Sequence, residues 1–427
     1  MTSPNELSVS QALAQMKSGR LSCGELVEAC LARVAAREAS VGAWTFLEPD
    51  SLRKEALEKD RVPAAIRPPL HGLPIGIKDI IDTAGMPTCR GSRIYAERVP
   101  SSDASCVAFM KRAGALVMGK TVTTEFAYFS PGKTRNPHDV ERTPGGSSSG
   151  SAAAVADFMV PAAFGTQTAG SIIRPASYCG VVGYKPSTGA FSLVGVKALA
   201  ESLDTLGLLT RHVADVVLLR AALAGCDPEA ATIVAQPPRI GLCRTPWWSE
   251  ADADSRNAVE LAASMFARAG AEVDEFMLPA EFERLAADQK EIMAFESARA
   301  LAYERDAFRE QLSPELTELI EAGEALSWSD YAAAKTRARR ARIEFASMIQ
   351  DGRILLSPSA KGSAPLGLRA TGDPLFSRMW TLLEVPTISL PGLKCANGLP
   401  IGVQLAGGFG EDDRLLANAR WCEEALA

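Results

Sequence analysis

Residues 145–151, Gly-Gly-Ser-Ser-Ser-Gly-Ser, constrain this chain more than any other stretch, because they run straight into Ala152-Ala153-Ala154-Val155-Ala156. A flexible Gly/Ser linker would be followed by another polar stretch or a domain boundary. Here the next residues demand burial. Gly and Ser feeding an apolar helix describe a tight turn at a buried helix start, with backbone N–H groups and hydroxyls turned inward. A phosphate-cradling loop is excluded, since no Gly-Lys-Ser/Thr closes the run. A second small-residue turn, Thr166-Gln167-Thr168-Ala169-Gly170-Ser171, follows. Its consecutive N–H groups suit an oxyanion hole, although most serines in Gly-rich turns are turn residues only.

Around this segment helix and strand signals alternate. Residues 8–60 read as helices. Ser22 and Glu25 make a capping box for a helix through Ala35, and residues 50–59 form a more polar one. Pro74–Lys78 is a short apolar run favouring a strand and ending at Lys78-Asp79. A helix over 103–113 and a strand over 115–118 come next. Residues 246–350 read as successive amphipathic helices. Strand-like runs return at 354–356, 386–390 and 399–405, and a last helix spans 412–426. Strands at both ends bracket the helical middle, which predicts one α/β domain over residues 1–427 with its sheet completed late in the chain.

Composition narrows the chemistry. The chain has only 3 histidines, His71, His138 and His212, so a Ser-His-Asp triad or a histidine-rich metal site has few residues to draw on. Its 9 cysteines, Cys226 among them, are scattered with no C-x-x-C pair. An odd count without an export signal predicts reduced thiols and a cytoplasmic location. A net charge of −6 with no basic cluster predicts no nucleic-acid partner. No apolar run reaches the ~18–20 residues of a membrane span, so no membrane partner is expected.

Residues 145–186 resemble the amidase-signature family: a GGSS-type turn, an apolar helix, then a G-T-x-T-x-G-S turn followed by Pro and Cys-Gly. The upstream Gly-Ile-Lys-Asp ending at Lys78-Asp79 fits that family. So do Gly119-Lys120-Thr121, Glu125-Phe126, Asn136-Pro137, Ser202-Leu203-Asp204-Thr205, Thr210-Arg211 with Asp215, and Gly398-Leu399-Pro400. The resemblance implies one large α/β domain with a central mixed β-sheet flanked by helices. Its signature core would cover about 65–225 and a more variable helical region about 228–350. It also implies roles: Ser171 as nucleophile, Ser147 as a bridging serine after a cis peptide, and Lys78 as the base. Thr168, Ala169, Gly170 and Ser171 would supply the oxyanion N–H groups, with Ser148 and Thr166 supporting the network and Gln167 beside the substrate. The scheme calls for neither metal nor cofactor. Its partner is a small amide, and the family suggests a homodimer.

Physical chemistry is consistent with these roles. A serine hydroxyl is a poor nucleophile until a base takes its proton. Lysine is a base only when neutral. Its ordinary pKa is ~10.4, and burial lowers it by up to ~3–5 units. The alternative for Lys78 is a surface lysine paired with Asp79. Cys179 is an alternative nucleophile, although a small thiol on an apolar segment is more often core.

Two departures from the commonest family pattern stand out. Ala169 replaces a glycine without removing an N–H. Position 173 is Ile, with arginine at 174, which resembles the malonamidase branch, where an arginine here grips the substrate's carboxylate. The alternative is that Arg174 pins the loop by a buried ion pair. Further pocket walls are expected in 124–133, with Phe126, Tyr128 and Phe129, and in 376–382, with Met379 and Trp380, the alternative being that either run belongs to the core. The expected activity is hydrolysis of a small amide through an acyl-serine, the amide bearing a carboxylate if Arg174 faces the pocket. The rivals are an aryl-acylamide or carbamate hydrolase, a tRNA-dependent amidotransferase A-type subunit, and a catalytically silent binding protein on this scaffold.

Overall fold

The computed structural model describes residues 3–225 and 236–427. Cys226 and the expected start of the helical region near 228 lie outside the described residues. Strands are β1 Trp44–Leu47, β2 Pro74–Lys78, β3 Leu116–Thr121, β4 Ala162–Gln167, β5 Val182–Lys185, β6 Thr205–Thr210, β7 Arg239–Leu242, β8 Glu272–Glu275, β9 Ile354–Pro358, β10 Thr387–Lys394 and β11 Pro400–Ala406. They form one 11-stranded sheet in the order β1-β3-β2-β4-β6-β5-β10-β11-β9-β7-β8. It is mixed: β2 lies parallel to both β3 and β4, whereas β6 pairs antiparallel with β4 and β5.

The strands read as nearly continuous apolar runs because helices cover both faces. Successive side chains alternate between faces. Ile75, Ile77, Ala162 and Phe164 join one buried cluster, and Leu116, Met118, Ala163 and Leu209 join a second on the other side. Helices α1 Val9–Lys17, α2 Cys23–Val41 and α3 Pro49–Asp60 form the N-terminal layer, and α4 Ser105–Arg112 precedes β3. Two short helices, α5 Ser149–Ala156 and α6 Ile173–Cys179, follow the two Gly/Ser turns. Helices α7 Val213–Leu223 and α8 Ala253–Arg268 come next. A third cluster is built by α9 Leu285–Ala300, α11 Pro314–Ala325, α12 Trp328–Met348 and α13 Leu375–Leu382, with α10 Ala302–Phe308 lying between α9 and α11 in the chain, and α14 Asp412–Leu426 closes the chain.

The Ser22–Glu25 capping box is present, but α2 runs past Ala35 to Val41, where Gly42 in the left-handed region ends it. Two expectations need correction. Residues 8–60 are not all helical, since β1 adds an edge strand there. Residues 246–350 include β8, whose exposed Glu272-Val273-Asp274-Glu275 lacks the apolar signal of a core strand. Among the described residues no helix is long and apolar enough to cross a membrane.

Candidate active site

Lys78 is the last residue of β2. Because β2 and β4 run parallel, both strands end at the same side of the sheet, bringing Lys78 beside Thr166 and the turn after Gln167. The lysine is fully buried. Its Nζ lies 2.7 Å from Ser147 Oγ, 2.8 Å from Thr166 Oγ1 and 3.4 Å from the Thr166 carbonyl. A neutral amine donates to the two Thr166 oxygens and keeps its lone pair for the Ser147 hydroxyl. Burial holds the amine well below the ordinary lysine range, and the charge of Asp204 opposes this only in part. Asp79 is not its partner. That carboxylate accepts from the Cys89 N–H and faces Lys120.

Ser147 follows a cis peptide from Gly146. The turn packs against the end of β3: Thr124 N–H donates to the Ser147 carbonyl, and Gly150 N–H donates to the Val122 carbonyl. Gly150 is required there, since a Cβ would lie 2.3 Å from both Ala43 O and Val122 N. Gly165 similarly leaves room for the Ser148 hydroxyl, which sits 2.9 Å from where its Cβ would be. Ser148 exchanges hydrogen bonds with Thr166, and its N–H donates to the Ser171 carbonyl, tying the two turns together.

The second turn is held from several sides. Gln167 Oε1 accepts from the Ile172 and Ile173 N–H groups, and its Nε2 donates to Thr381. Thr381 Oγ1 donates to the Ala169 carbonyl, and Gln289 Nε2 to the Thr168 carbonyl. Arg378 in turn donates to Gln289. The Thr168 hydroxyl donates to Asp204. The N–H groups of Ala169, Gly170 and Ser171 carry no hydrogen bond among the described residues.

Ser147, Thr168, Ala169, Ser171 and Arg174 line one cavity of about 300 Å³ with Tyr128, Phe129, Leu199, Met293 and Thr371. Arg174 is 2 % exposed. Its Nε donates to the Thr371 carbonyl and its Nη2 to Gly146 O and Thr371 Oγ1, while Nη1 has no partner. Among the described residues no carboxylate hydrogen-bonds to it and none lines the cavity, although the charge of Asp373 acts on it. Burial lowers the guanidinium to about 10.

The structure therefore brings Lys78, Ser147 and Ser171 together, with Thr168 to Gly170 alongside. Among Arg174, Ser148, Thr166 and Gln167, only Arg174 lines the cavity; the other three brace the turns from behind. Tyr128 and Phe129 are walls as expected, but Phe126, Met379 and Trp380 belong to the core, which corrects that part of the reading. Arg174 does pin the loop, through the Thr371 and Gly146 oxygens rather than through an ion pair, with the charge of Asp373 acting on it. Cys179 is buried, donates its S–H to the Pro144 carbonyl, and has its thiol pushed up by burial, so it is no thiolate nucleophile. Sequence reasoning assigned no role to Asp204, Gln289, Thr371 or Arg378. Asp204 lies inside the Ser202–Thr205 motif, where an acid opening an apolar strand was the available signal.

A buried amine and two hydroxyl-bearing turns thus lie at one end of a large mixed sheet in a single α/β domain. Residues 25–416 match the family model described as Amidase, and the chain belongs to the amidase family. The A-type subunit of glutamyl-tRNA(Gln) amidotransferase from Geobacter sp. (strain M21) is 35% identical over 466 residues, covering 96% of this chain and 96% of the relative. A crystal structure of an amidase superposes with a TM-score of 0.90 at 32% identity, over 99% of this chain and 100% of the other. The peptide amidase from Stenotrophomonas maltophilia superposes with a TM-score of 0.83 at 29% identity, over 98% and 96%. The curated relative belongs to an amidotransferase, so membership of the malonamidase branch does not follow from these matches.

Proposed function

We propose that this chain hydrolyses the C–N bond of a small amide that carries a carboxylate, malonamate-like in shape, through an acyl-serine on Ser171. One observation carries the substrate class: Arg174 lines the cavity, its Nη1 is unpartnered, and among the described residues no carboxylate hydrogen-bonds to it. A desolvated cation of this kind favours an incoming anion, and a guanidinium matches a carboxylate.

Neutral Lys78 takes the Ser147 proton as Ser147 takes that of Ser171, and Ser171 Oγ attacks the amide carbonyl carbon. The N–H groups of the 168–171 turn receive the developing oxyanion. Collapse breaks the C–N bond, and the proton held at Lys78 returns by the same path to the leaving nitrogen. Water then attacks the acyl-serine, losing its proton along that path, and the acid leaves as Ser171 is regenerated. This scheme uses no metal or cofactor.

The curated relatives favour a second reading, an A-type subunit of an amidotransferase acting with partner proteins on glutamine. Glutamine carries an ammonium as well as a carboxylate, and the cavity offers that ammonium no acidic side chain. An aryl-acylamide or carbamate would leave Arg174 uncompensated. The deciding experiment measures ammonia release by the isolated chain from malonamate, a neutral aliphatic amide and glutamine, and amine release from an anilide. Preference for malonamate supports the proposal. Turnover of glutamine alone, or only once partner proteins are supplied, replaces it with the second reading. A homodimer in solution is the assembly we expect for the hydrolase.

A further inference from the structure

Asp204 is a buried carboxylate that the hydrolytic scheme does not use. It precedes β6, the antiparallel neighbour of β4, and so faces the turn that leaves β4. One oxygen accepts the Thr168 hydroxyl proton. The other accepts the N–H groups of Leu199 and Ala200, at 2.8 and 3.1 Å. Leu199 and Thr168 both line the cavity. The carboxylate thus ties a cavity wall to the first residue of the oxyanion turn.

We propose that Asp204 is a positioning residue that fixes the 168–171 turn to the Leu199 wall and acts on the Lys78–Ser147–Ser171 site through that turn as well as by its charge. This rests on the reading of Lys78 as the base in amide hydrolysis. Asp204 is the charge that opposes desolvation of the lysine, because an anion nearby favours the ammonium. Besides Asp204, Lys78 faces the oxygens of Ser147 and Thr166, while the neighbouring Asp79 is engaged with Lys120. Asp204 itself is pushed up to about 6 by burial, against its three donors. Glu296 on α9 adds to that rise, and is itself held by Ser202, Tyr331 and Lys335.

The test is the pH profile of kcat/KM for Asp204→Asn, which keeps the shape and removes the charge. The acid limb moves to lower pH by on the order of one unit, while the plateau falls about tenfold or more as the charge-assisted bond to Thr168 is lost. A merely structural role would lower the plateau and leave the limb where it is in the wild type; that result overturns the proposal. A wild-type profile without an acid limb removes the lysine-base reading itself, and the proposal with it. Should Asp204→Asn not fold, Thr168→Val and Thr168→Ser decide the positioning half. The serine variant keeps the hydroxyl and retains the plateau, whereas the valine variant loses it. Equal rates in the two overturn the proposal.

Discussion

Replacing Arg174 with Met removes the charge and keeps most of the side chain's length. Two groups of interactions disappear. The first is structural: the Thr371 carbonyl, Thr371 Oγ1 and the Gly146 carbonyl lose their donors. An unpaired buried acceptor costs about 1–3 kcal/mol, but a buried cation without a counterion disappears too. Tm is therefore a poor diagnostic of the role. The second is the contact to the substrate, which only a carboxylated amide makes. A hydrogen bond to a charged group contributes about 1.5–3 kcal/mol. At about 1.36 kcal/mol per tenfold in rate, kcat/KM for malonamate falls roughly 10- to 150-fold further than kcat/KM for a neutral amide of equal length. The assay is ammonia release from both substrates by wild type and variant, expressed as a ratio of ratios. The Gly146 carbonyl precedes Ser147, so displacement of that turn lowers both activities and cancels in the ratio. Equal losses on the two substrates would refute the carboxylate grip and leave Arg174 as a brace for the turn.

Four further outcomes are expected. Ser171→Ala abolishes amide hydrolysis with an unchanged thermal transition; undiminished turnover would exclude its role as nucleophile. The rate rises with pH through the depressed pKa of Lys78, because the working form is the neutral amine, and a flat profile from pH 6 to 9 contradicts a lysine base. Linkage adds a stability readout for Lys78→Met. The unfolded lysine binds a proton up to its ordinary value of ~10.4, which the folded one resists, so stability of the wild type rises with pH. The variant lacks that term and melts higher near neutral pH, with the gap closing toward pH ~10; a lower Tm at pH 7 counts against the depressed pKa. Gly165→Ala puts a methyl 2.9 Å from Ser148 Oγ and 3.1 Å from Leu209 Cδ1. Overpacking of this kind costs about 1–3 kcal/mol and displaces the hydroxyl that joins the two turns. Both Tm and kcat fall, and full activity would show that Ser148 is dispensable.

The candidate serines Ser147 and Ser171 stand in short contiguous turns, whereas Lys78 was singled out only by the family resemblance, since a lysine followed by Asp79 reads locally as a surface residue. A Gly/Ser turn feeding an apolar helix states its burial locally, and α2 announces itself by its capping box and helical periodicity. The edge strands were not legible for the opposite reason. β1 and β8 are four residues each and partly exposed, so neither alternation nor an apolar run marks them. The supporting residues are hidden by distance along the chain. Thr371 meets Arg174 across 197 positions, and Thr381 meets Ala169 across 212. A threonine opening toward a site and one capping a turn look alike in sequence. The aromatic walls divided the same way: in Phe126 to Phe129, the positive φ at Phe126 and Ala127 separates the ring that enters the core from the two that line the cavity.

In the mechanism proposed here, sheet order explains how a lysine can serve this site without histidine. A lysine on a surface loop keeps its proton near neutral pH. Lys78 ends a strand flanked on both sides by parallel neighbours, with Thr121 opposite it and Thr166 within hydrogen-bond reach. Its whole side chain is therefore out of water before any substrate arrives. Among the described residues the oxygens it meets are neutral ones on Ser147 and Thr166, and the carboxylate that opposes its desolvation, Asp204, is itself desolvated and shared among three donors. Stronger pairing would restore the ammonium and end base catalysis; weaker hydrogen bonding would leave the amine unoriented. The mixed topology supplies the intermediate case. Parallel β2 and β4 carry lysine and turn to one end of the sheet, and antiparallel β6 returns Asp204 to the same end from the opposite direction. Moving Asp204 one residue along β6 would turn its carboxylate to the other face. The 168–171 turn would lose its tether and Lys78 its opposing charge together.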